Sequence, residues 1–142
     1  MVEAWLTQRR TGAVARVISA EGLGPRPSDD LLIVDINGRT GGSLLAGAAQ
    51  PEVISAAQRL LGSDASQLVV SLDIDSADAT AAGLTCGGVV DILVQRLDVI
   101  PTQLWDTLAA GRAAALVTVL GADGPPMLNP IWKVNLLNAL AL

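Results

Sequence analysis

The clearest indication of the fold is in residues 31–45, LLIVDINGRTGGSLL. Two runs, Leu31 to Asp35 and Arg39 to Leu45, flank the dipeptide Asn37-Gly38. Asn-Gly between apolar runs is the strongest short-range signal for a β-hairpin, because both residues tolerate the left-handed backbone of a tight turn. The stretch therefore predicts two strands joined by a tight turn.

Strands and helices alternate on both sides of this hairpin. Upstream, Ala13 to Ala20 has the composition of a strand, and the Pro- and Gly-containing segment Glu21 to Asp30 predicts a loop. Downstream, apolar residues at helical spacing predict a helix from Pro51 that ends at Gly62. The other predicted elements are a helix over 2–8, strands over 67–72, 89–97 and 113–120, an acidic loop over 73–82 and a helix over 103–110.

These elements predict an α/β fold in a single domain, residues 1–142. A hairpin coexists with helical crossovers, which favours a mixed β-sheet with two or three packed helices. The composition agrees, since 142 residues with 51% hydrophobic and 16% charged content suffice for one packed core and exclude a disordered chain.

The residue types that are missing restrict the chemistry. The chain has no His, no Tyr and no Phe, and it has one Cys. A Ser-His-Asp triad, a Cys-His pair, a His-ligated zinc site and an internal disulfide therefore cannot be built within it. The net charge of -5 has the wrong sign for coating a phosphate backbone, so nucleic acid is not expected as a partner.

The distribution of apolar residues predicts a cytoplasmic protein without a membrane span. No apolar run reaches the ~18 residues that a span needs, because charged residues such as Arg16, Asp35 and Asp91 interrupt them. A lone Cys without a signal peptide fits a reducing compartment. The apolar stretch Asn129 to Leu142 predicts packing on the chain's own core or against another copy in a homo-oligomer, although a truncated end would look the same.

The segment most suited to chemistry is Gly83-Leu84-Thr85-Cys86-Gly87-Gly88, directly before the strand that starts at Val89. Consecutive glycines permit backbone conformations that turn N–H groups into one concavity, which would suit an anion or a soft ligand beside the thiol. The alternative is a buried Cys that acts as a small hydrophobic residue. Residues alone leave both open.

A second glycine cluster lies between the hairpin and the Pro51 helix. Gly41, Gly42 and Ser43 begin it, and residues 47–50 lead into the helix N-terminus, where free N–H groups favour anions. No phosphate-loop or dinucleotide-binding spacing fits this cluster. The alternative is a flexible loop that needs small residues for packing, and physics alone favours that alternative.

The order of these pieces resembles the XdhC/CoxI family, accessory proteins of molybdenum hydroxylases such as xanthine dehydrogenase and carbon monoxide dehydrogenase. The resemblance covers about residues 12 to 97 and continues weakly to about 120, and residues 121–142 form a tail of unassigned role. It rests on Ala13 to Ile18, Pro25-Arg26-Pro27, an apolar strand, Asn37-Gly38, Gly42-Ser43, a helix and the Cys-Gly-Gly loop.

The resemblance implies a factor that binds the molybdenum cofactor (molybdopterin), supports exchange of its terminal oxo ligand for sulfur, and hands it to the apo-hydroxylase. It implies that Cys86 contacts the cofactor and its metal. Implied partners are the hydroxylase apoprotein, a cysteine desulfurase and a separate Rossmann-domain protein. The residues that it assigns to cofactor binding are Cys86, Gly87, Gly88, Gly42, Ser43, Arg26 and Gln50.

The chain departs from the family pattern in the second glycine cluster. The pattern Gly-Ser-x-x-Gly-Gly-Cys-Val-Glu is GSLLAGAAQ here, residues 42–50, which lacks one glycine, a second cysteine and the acid. Asp29-Asp30 stands where Gly-Ala is expected after Pro-Arg-Pro, which places two negative charges near an expected anion site. Longer members also carry a C-terminal Rossmann domain, for which 142 residues leave no room.

Three hypotheses follow. The first is a maturation factor that binds the molybdenum cofactor and is not itself an enzyme. The second is a non-catalytic interaction subunit that keeps the fold, has lost the cofactor site, and pairs with a Rossmann-bearing partner or with itself. The third, a thiol enzyme that uses Cys86 as nucleophile, is the weakest because the chain has no His to act as its base.

Overall fold

The longest strand, β1 (Gly12–Gly22), runs through the middle of the sheet, and its first half is buried. A computed structural model describes residues 11–24 and 30–120, together with the backbone of 127–129. The other elements are β2 (Leu31–Asp35), β3 (Thr40–Ser43), α1 (Gln50–Leu61), β4 (Gln67–Ile74), α2 (Ser76–Ala81), β5 (Gly88–Arg96), α3 (Thr102–Ala109), β6 (Ala115–Val117) and β7 (Met127–Asn129). Short 3-10 turns cover Leu45–Gly47 and Leu97–Val99.

Five strands form one sheet in the order β3-β2-β1-β5-β4, and β6 pairs with β7 in a separate two-stranded sheet. The predicted α/β class with packed helices is confirmed. Every neighbouring pair in the large sheet is antiparallel, however, rather than mixed. The crossover through α1 does join two strands of the same direction, β3 and β4. These strands lie at opposite edges, so they never pair with each other.

The hairpin between β2 and β3 is confirmed, and a buried carboxylate fixes its turn. Asp35 accepts hydrogen bonds from the backbone N–H groups of Asn37 (2.9 Å) and Arg39 (2.8 Å) and from Arg39 Nε (3.0 Å). Gly38, with φ +79°, donates its N–H to the Asp35 carbonyl at 2.9 Å. This geometry is a three-residue turn that ends in a left-handed glycine. Asn37 has no positive φ, so the turn differs from the two-residue type that Asn-Gly most often forms.

The sheet is covered on both faces. One face packs against α1, whose buried residues Val53, Ala56, Ala57 and Leu60 recur at helical spacing. Ala13 and Ala15 of β1 point into this core. The other face, which includes Val14, packs against Leu104 and Trp105 of α3 and against Leu116 of β6. Alternate side chains of β1 therefore pack into two separate cores, one on each face of the sheet.

Most predicted elements are confirmed to within a few residues, but two are wrong. The predicted acidic loop over 73–82 contains α2, because Asp75 caps the helix N-terminus and Ala-rich sequence follows. The predicted strand over 113–120 is reduced to Ala115–Val117. The predicted helix over 2–8 lies outside the described residues. Within the described part of the chain, no helix is long and apolar enough to cross a membrane.

Candidate functional site

Three loops meet at one end of the large sheet. β1, β3 and β4 all run in the same direction, because each is separated from the next in the sheet by one antiparallel strand. The segments that follow them begin at residues 23, 44 and 75. The sheet therefore brings the Cys86 loop, the loop after Gly42-Ser43 and the segment that leads to Arg26 to the same end.

The Cys86 loop begins at the C-terminus of α2, where the helix ends in a fully hydrogen-bonded cap. Gly83, with φ +80°, donates its N–H to the Thr80 carbonyl at 3.0 Å, and Leu84 donates to Ala79 at 2.8 Å. This is the Schellman arrangement, which needs a residue that accepts the left-handed region. The cap fixes where the chain leaves α2 and so directs residues 85–87 towards β5.

Gly87 and Gly88 are required for close packing. A Cβ on Gly87 would lie 2.5 Å from the Ile74 carbonyl oxygen, and one on Gly88 would overlap with the carbonyl oxygen of Glu21. Neither glycine has a positive φ, so the left-handed concavity expected from the glycine pair does not form at these two residues. Their function in the structure is to let β5 enter the sheet between β1 and β4 without a side chain in the way.

Cys86 is an exposed free thiol. The alternative of a buried Cys that acts as a small core residue is therefore wrong. Its neighbour Thr85 packs against Gly24, where a Cβ would lie 2.9 Å from Thr85 Oγ1. The thiol is accessible on a loop whose two ends, at Leu84 and Gly88, are held by backbone contacts.

The second glycine loop is held by backbone conformation and by one carboxylate. Gly42 has φ +85°, and a Cβ there would overlap with the Leu31 carbonyl oxygen. Leu45, Ala46 and Gly47 also have positive φ, at 52°, 51° and 94°. The Leu45 N–H donates to the Asp30 carboxylate at 2.8 and 3.1 Å. Asp30 therefore tethers this loop through its charge.

Both loops are anchored in the same core. Leu84 from the Cys86 loop packs against the cluster that contains Leu44 and Leu45 from the second loop, and Leu23 from the end of β1 is fully buried there. These leucines lie on the face of the sheet that α1 covers. Hydrophobic burial therefore fixes the positions of the three loops relative to one another.

Gln50 is not brought to the Cys86 loop by any contact in the structure. It is the first residue of α1, and its Nε2 donates to Thr40 Oγ1 at 3.4 Å, near the start of β3. Ser43 ends β3 and is exposed. Of the predicted site residues, Cys86, Gly87 and Gly88 thus form one unit, and Gly42 and Ser43 form another at the same end.

Arg26 lies outside the described residues, as do Asp29 and the tail beyond 129. Among the described residues, no three His, Cys, Asp or Glu side chains lie close enough together to hold a metal ion.

Sequence reasoning missed the contribution of Gly22 and Gly24, whose φ values are +85° and +71°. The signal available in the sequence was a pair of closely spaced glycines directly after an apolar strand. The structure shows why Gly22 is needed, since a Cβ there would lie 2.6 Å from the Gly87 carbonyl oxygen.

The sequence of the first half of the chain is similar to one known family. The family model for the XdhC and CoxI family matches residues 5–73. The match covers just under half of the chain, and this segment is therefore similar to the XdhC and CoxI family. The matched segment contains Arg26, Gly42, Ser43 and Gln50, and it ends before Cys86. No curated protein matches the sequence.

One solved structure is similar to most of this chain. It is described as a xanthine dehydrogenase from Bacillus halodurans, with a TM-score of 0.67 and 22% sequence identity. The match covers 89% of this chain and 39% of that one, so the chain corresponds to well under half of that protein's length. At this identity the likeness shows a shared fold.

Proposed function

We propose that this chain is an accessory factor that holds the molybdenum cofactor for a molybdenum hydroxylase of the xanthine or carbon monoxide dehydrogenase type. The observation that carries the proposal is the exposed Cys86 thiol, on a loop fixed at the same end of the sheet as the glycine loop of the family segment. The hydroxylase apoprotein and a cysteine desulfurase are the proposed partners, and the cytoplasm is the proposed compartment.

The chemistry of the Cys86 thiol suits the molybdenum side of the cofactor. Molybdopterin carries dithiolene sulfurs and a phosphate, and a thiolate such as that of Cys86 is a suitable soft ligand on the molybdenum side. The phosphate needs a cation or free N–H groups. Arg26 is the proposed cation, since it follows Gly24, which packs against Thr85 beside the thiol. When bound, the cofactor supplies the redox and oxo-transfer chemistry, and the chain supplies binding and orientation.

The residues around Cys86 suit a carrier that must both hold and release its cargo. Gly87 and Gly88 keep the loop close to the sheet, so the thiol is presented on a backbone with little freedom to move. Exposure of Cys86 leaves the opposite side of the cargo open to a receiving protein. A preorganised, open loop lowers the entropic cost of binding without enclosing the ligand.

Retention of molybdenum tests the proposal. The purified protein is mixed with molybdenum cofactor without oxygen, filtered through a membrane that retains protein, and analysed for bound metal. Wild type is expected to retain molybdenum, and Cys86→Ser is expected to retain at least about tenfold less, since loss of ~1.4 kcal/mol is a factor of ten. Ala65→Ser, a change of similar size at another exposed loop, is expected to retain as much as wild type.

The role of Arg26 is tested in the same assay with a charge-matched control. Arg26→Gln is expected to weaken retention, whereas Arg59→Gln, which removes an exposed charge from the end of α1, is expected to leave it unchanged. Absence of bound molybdenum in the wild type would refute cofactor binding. Equal retention by wild type and Cys86→Ser would remove the thiol from the proposed site.

A second candidate function is an interaction subunit that keeps the fold and has lost the cofactor site. The contact of Gln50 with Thr40, together with the missing family Cys and Glu of this loop, favours it. The double variant Ala48→Cys, Gln50→Glu restores the family pattern. Binding of molybdenum by this variant alone would support the second candidate, and binding by wild type would support the first.

A further inference from the structure

A half-buried arginine lies in the middle of β1, on the face that packs against α3. Arg16 follows Val14 at a spacing of two, so it shares the face of the sheet that contains Leu104 and Trp105. Its Nη2 donates to Gln95 Oε1 at 3.4 Å and to Thr118 Oγ1 at 3.2 Å. Arg16 thus joins β1, β5 and the segment that follows β6.

This cluster contains more hydrogen-bond donors than acceptors. Gln95, only 1% exposed, also donates from Nε2 to Thr118 Oγ1 at 3.3 Å. Both acceptor atoms of the cluster, Gln95 Oε1 and Thr118 Oγ1, are therefore already used. Nε and Nη1 of Arg16 are buried and have no hydrogen-bond partner among the residues that the structure describes. Buried donors without acceptors are costly, so the cluster lacks an acceptor group.

The cluster also lacks a negative charge. Within the described residues, the two ion pairs join Arg39 to Asp35 and Arg96 to Asp98, and neither includes Arg16. Burial lowers the pKa of Arg16, although a guanidinium stays protonated at any physiological pH. An apolar side chain of similar volume would be more stable at a buried position than a cation without a partner. Packing alone therefore does not account for an arginine here.

We propose that Arg16, Gln95 and Thr118 form a binding site for an oxyanion, the carboxylate or phosphate group of a small ligand. Such a group carries the missing charge, and it contains only acceptors, so it satisfies the unused guanidinium donors. Arg16 lies about 20 Å along β1 from Gly22 and the Cys86 loop, at ~3.3 Å per residue. The site is independent of the proposed cofactor loop.

Access to the site is through the segment that follows β6. Thr118 belongs to this segment, and Gln67 Nε2 donates to the next carbonyl, of Val119, at 2.7 Å. The side chains of Val119 and Leu120 are 59% and 51% exposed, so moving the segment away from the sheet loses little apolar burial. Movement of this segment admits the oxyanion to the unused Nε and Nη1 donors of Arg16.

Thermal unfolding of the full chain in phosphate and in acetate tests this site. Each anion is titrated against chloride at constant ionic strength, so that only specific binding raises the unfolding midpoint. Wild type is expected to show a saturable rise with at least one of the two anions, and comparison of the two titrations tells phosphate from carboxylate. The amide signals of residues 16, 95 and 118 are expected to shift in NMR spectra over the same concentrations.

Three variants identify the residues responsible. Arg16→Met is expected to raise the midpoint without anion and to abolish the response to anion. Gln95→Glu places a carboxylate beside Arg16 at almost unchanged volume, so it is expected to abolish the response even if Arg16→Met fails to fold. Arg59→Gln removes an exposed cation of α1 and is expected to respond as wild type does. A wild type that responds no more than in chloride, or an equal response in Gln95→Glu, would overturn the proposal.

Discussion

At the scale of single residues, missing side chains position the candidate loop. Gly22, Gly87 and Gly88 allow three backbone segments to approach more closely than any Cβ would permit. Gly83 differs, since a Cβ there meets nothing within 4 Å and only its positive φ favours glycine. Replacing a glycine that is needed for close packing is therefore expected to cost more stability than replacing one that is needed only for its positive φ.

Gly88→Ala is expected to destabilise the protein severely, by more than about 3 kcal/mol, because the added methyl overlaps with the backbone of Glu21 and Gly22 in the paired strand β1. Gly83→Ala is expected to cost only about 1 kcal/mol, the cost of a left-handed alanine. Denaturant unfolding followed by circular dichroism measures both. Similar values for the two variants would contradict the packing explanation.

Ala46→Gly is expected to stabilise the protein by about 1 kcal/mol. Ala46 has φ +51° and is exposed, so glycine relieves strain without loss of packing. It also restores the glycine of the family pattern. Ala65→Gly, at an exposed position without a positive φ, is the control and is expected to be neutral or slightly destabilising. A lower denaturant midpoint for Ala46→Gly would show that the loop is not strained there.

Asp98 is expected to make stability depend on acid pH. A hydrogen bond from Arg96 holds the pKa of the Asp98 carboxyl below its ordinary value. Its contribution to stability is therefore complete above the ordinary pKa of about 3.9 and is lost as the pH falls through the lowered value. The pair is exposed to solvent, so the effect is small. Asp98→Asn is expected to reduce the fall in the free energy of unfolding at acid pH. An unchanged fall in this variant would exclude the pair as its cause.

At the scale of elements, α2 connects the sheet to the Cys86 loop. The helix has only six residues, and its ends are fixed by the Asp75 carboxylate, which accepts from the Asp78 N–H at 2.8 Å, and by the cap at Gly83. A helix this short has little stability of its own, so the two caps matter more than in a long helix.

Asp75→Ala is expected to cost about 1 kcal/mol in global stability, since it leaves an N-terminal donor of α2 without its cap. It is also expected to speed hydrogen exchange over residues 76–84, because the local helix opens more readily. Asp73→Ala, which removes an exposed carboxylate at the end of β4, is the control. Equal exchange rates in the two variants would indicate that packing of Ala79 and Leu84 alone holds the helix.

At the scale of the whole molecule, one sheet supports two cores. The face towards α1 contains the leucines that hold the three loops, and the face towards α3 contains Val14, Leu104 and Trp105. Most strands and helices could be predicted from the sequence, since their apolar residues repeat with the period of each element. The direction of strand pairing could not, because the crossover through α1 spans the full width of the sheet.

Leu104→Ala is expected to cost about 2–5 kcal/mol, because Leu104 is 1% exposed and its loss leaves a cavity between α3 and the sheet. Leu120→Ala, at a side chain that is 51% exposed, is expected to change stability by less than about 0.5 kcal/mol. Urea unfolding measures both. A small effect for Leu104→Ala would mean that α3 contributes little to the folded state.

The candidate site could be predicted from the sequence only in part. Cys86 and the glycines around it stand out because their residue types have few structural alternatives, and residues 5–73 carry the family pattern. The sequence alone did not show that the thiol is exposed, that Gly22 and Gly24 pack against its loop, or that Gln50 bonds to Thr40. Contacts between residues far apart in the chain determine these features.

Sequence alone was enough to predict most of the strands and helices, the hairpin at Asn37-Gly38 and the kinds of chemistry that a chain without His can support. Local periodicity and turn chemistry act within a few residues, so they can be recognised in one dimension. Tertiary contacts bring Arg16, Gln95 and Thr118 together, in a cluster where two guanidinium nitrogens have no partner among the described residues, and they bring three loops to one end of the sheet. Burial and polar satisfaction depend on what surrounds a group in space, and the order of residues alone does not specify those surroundings.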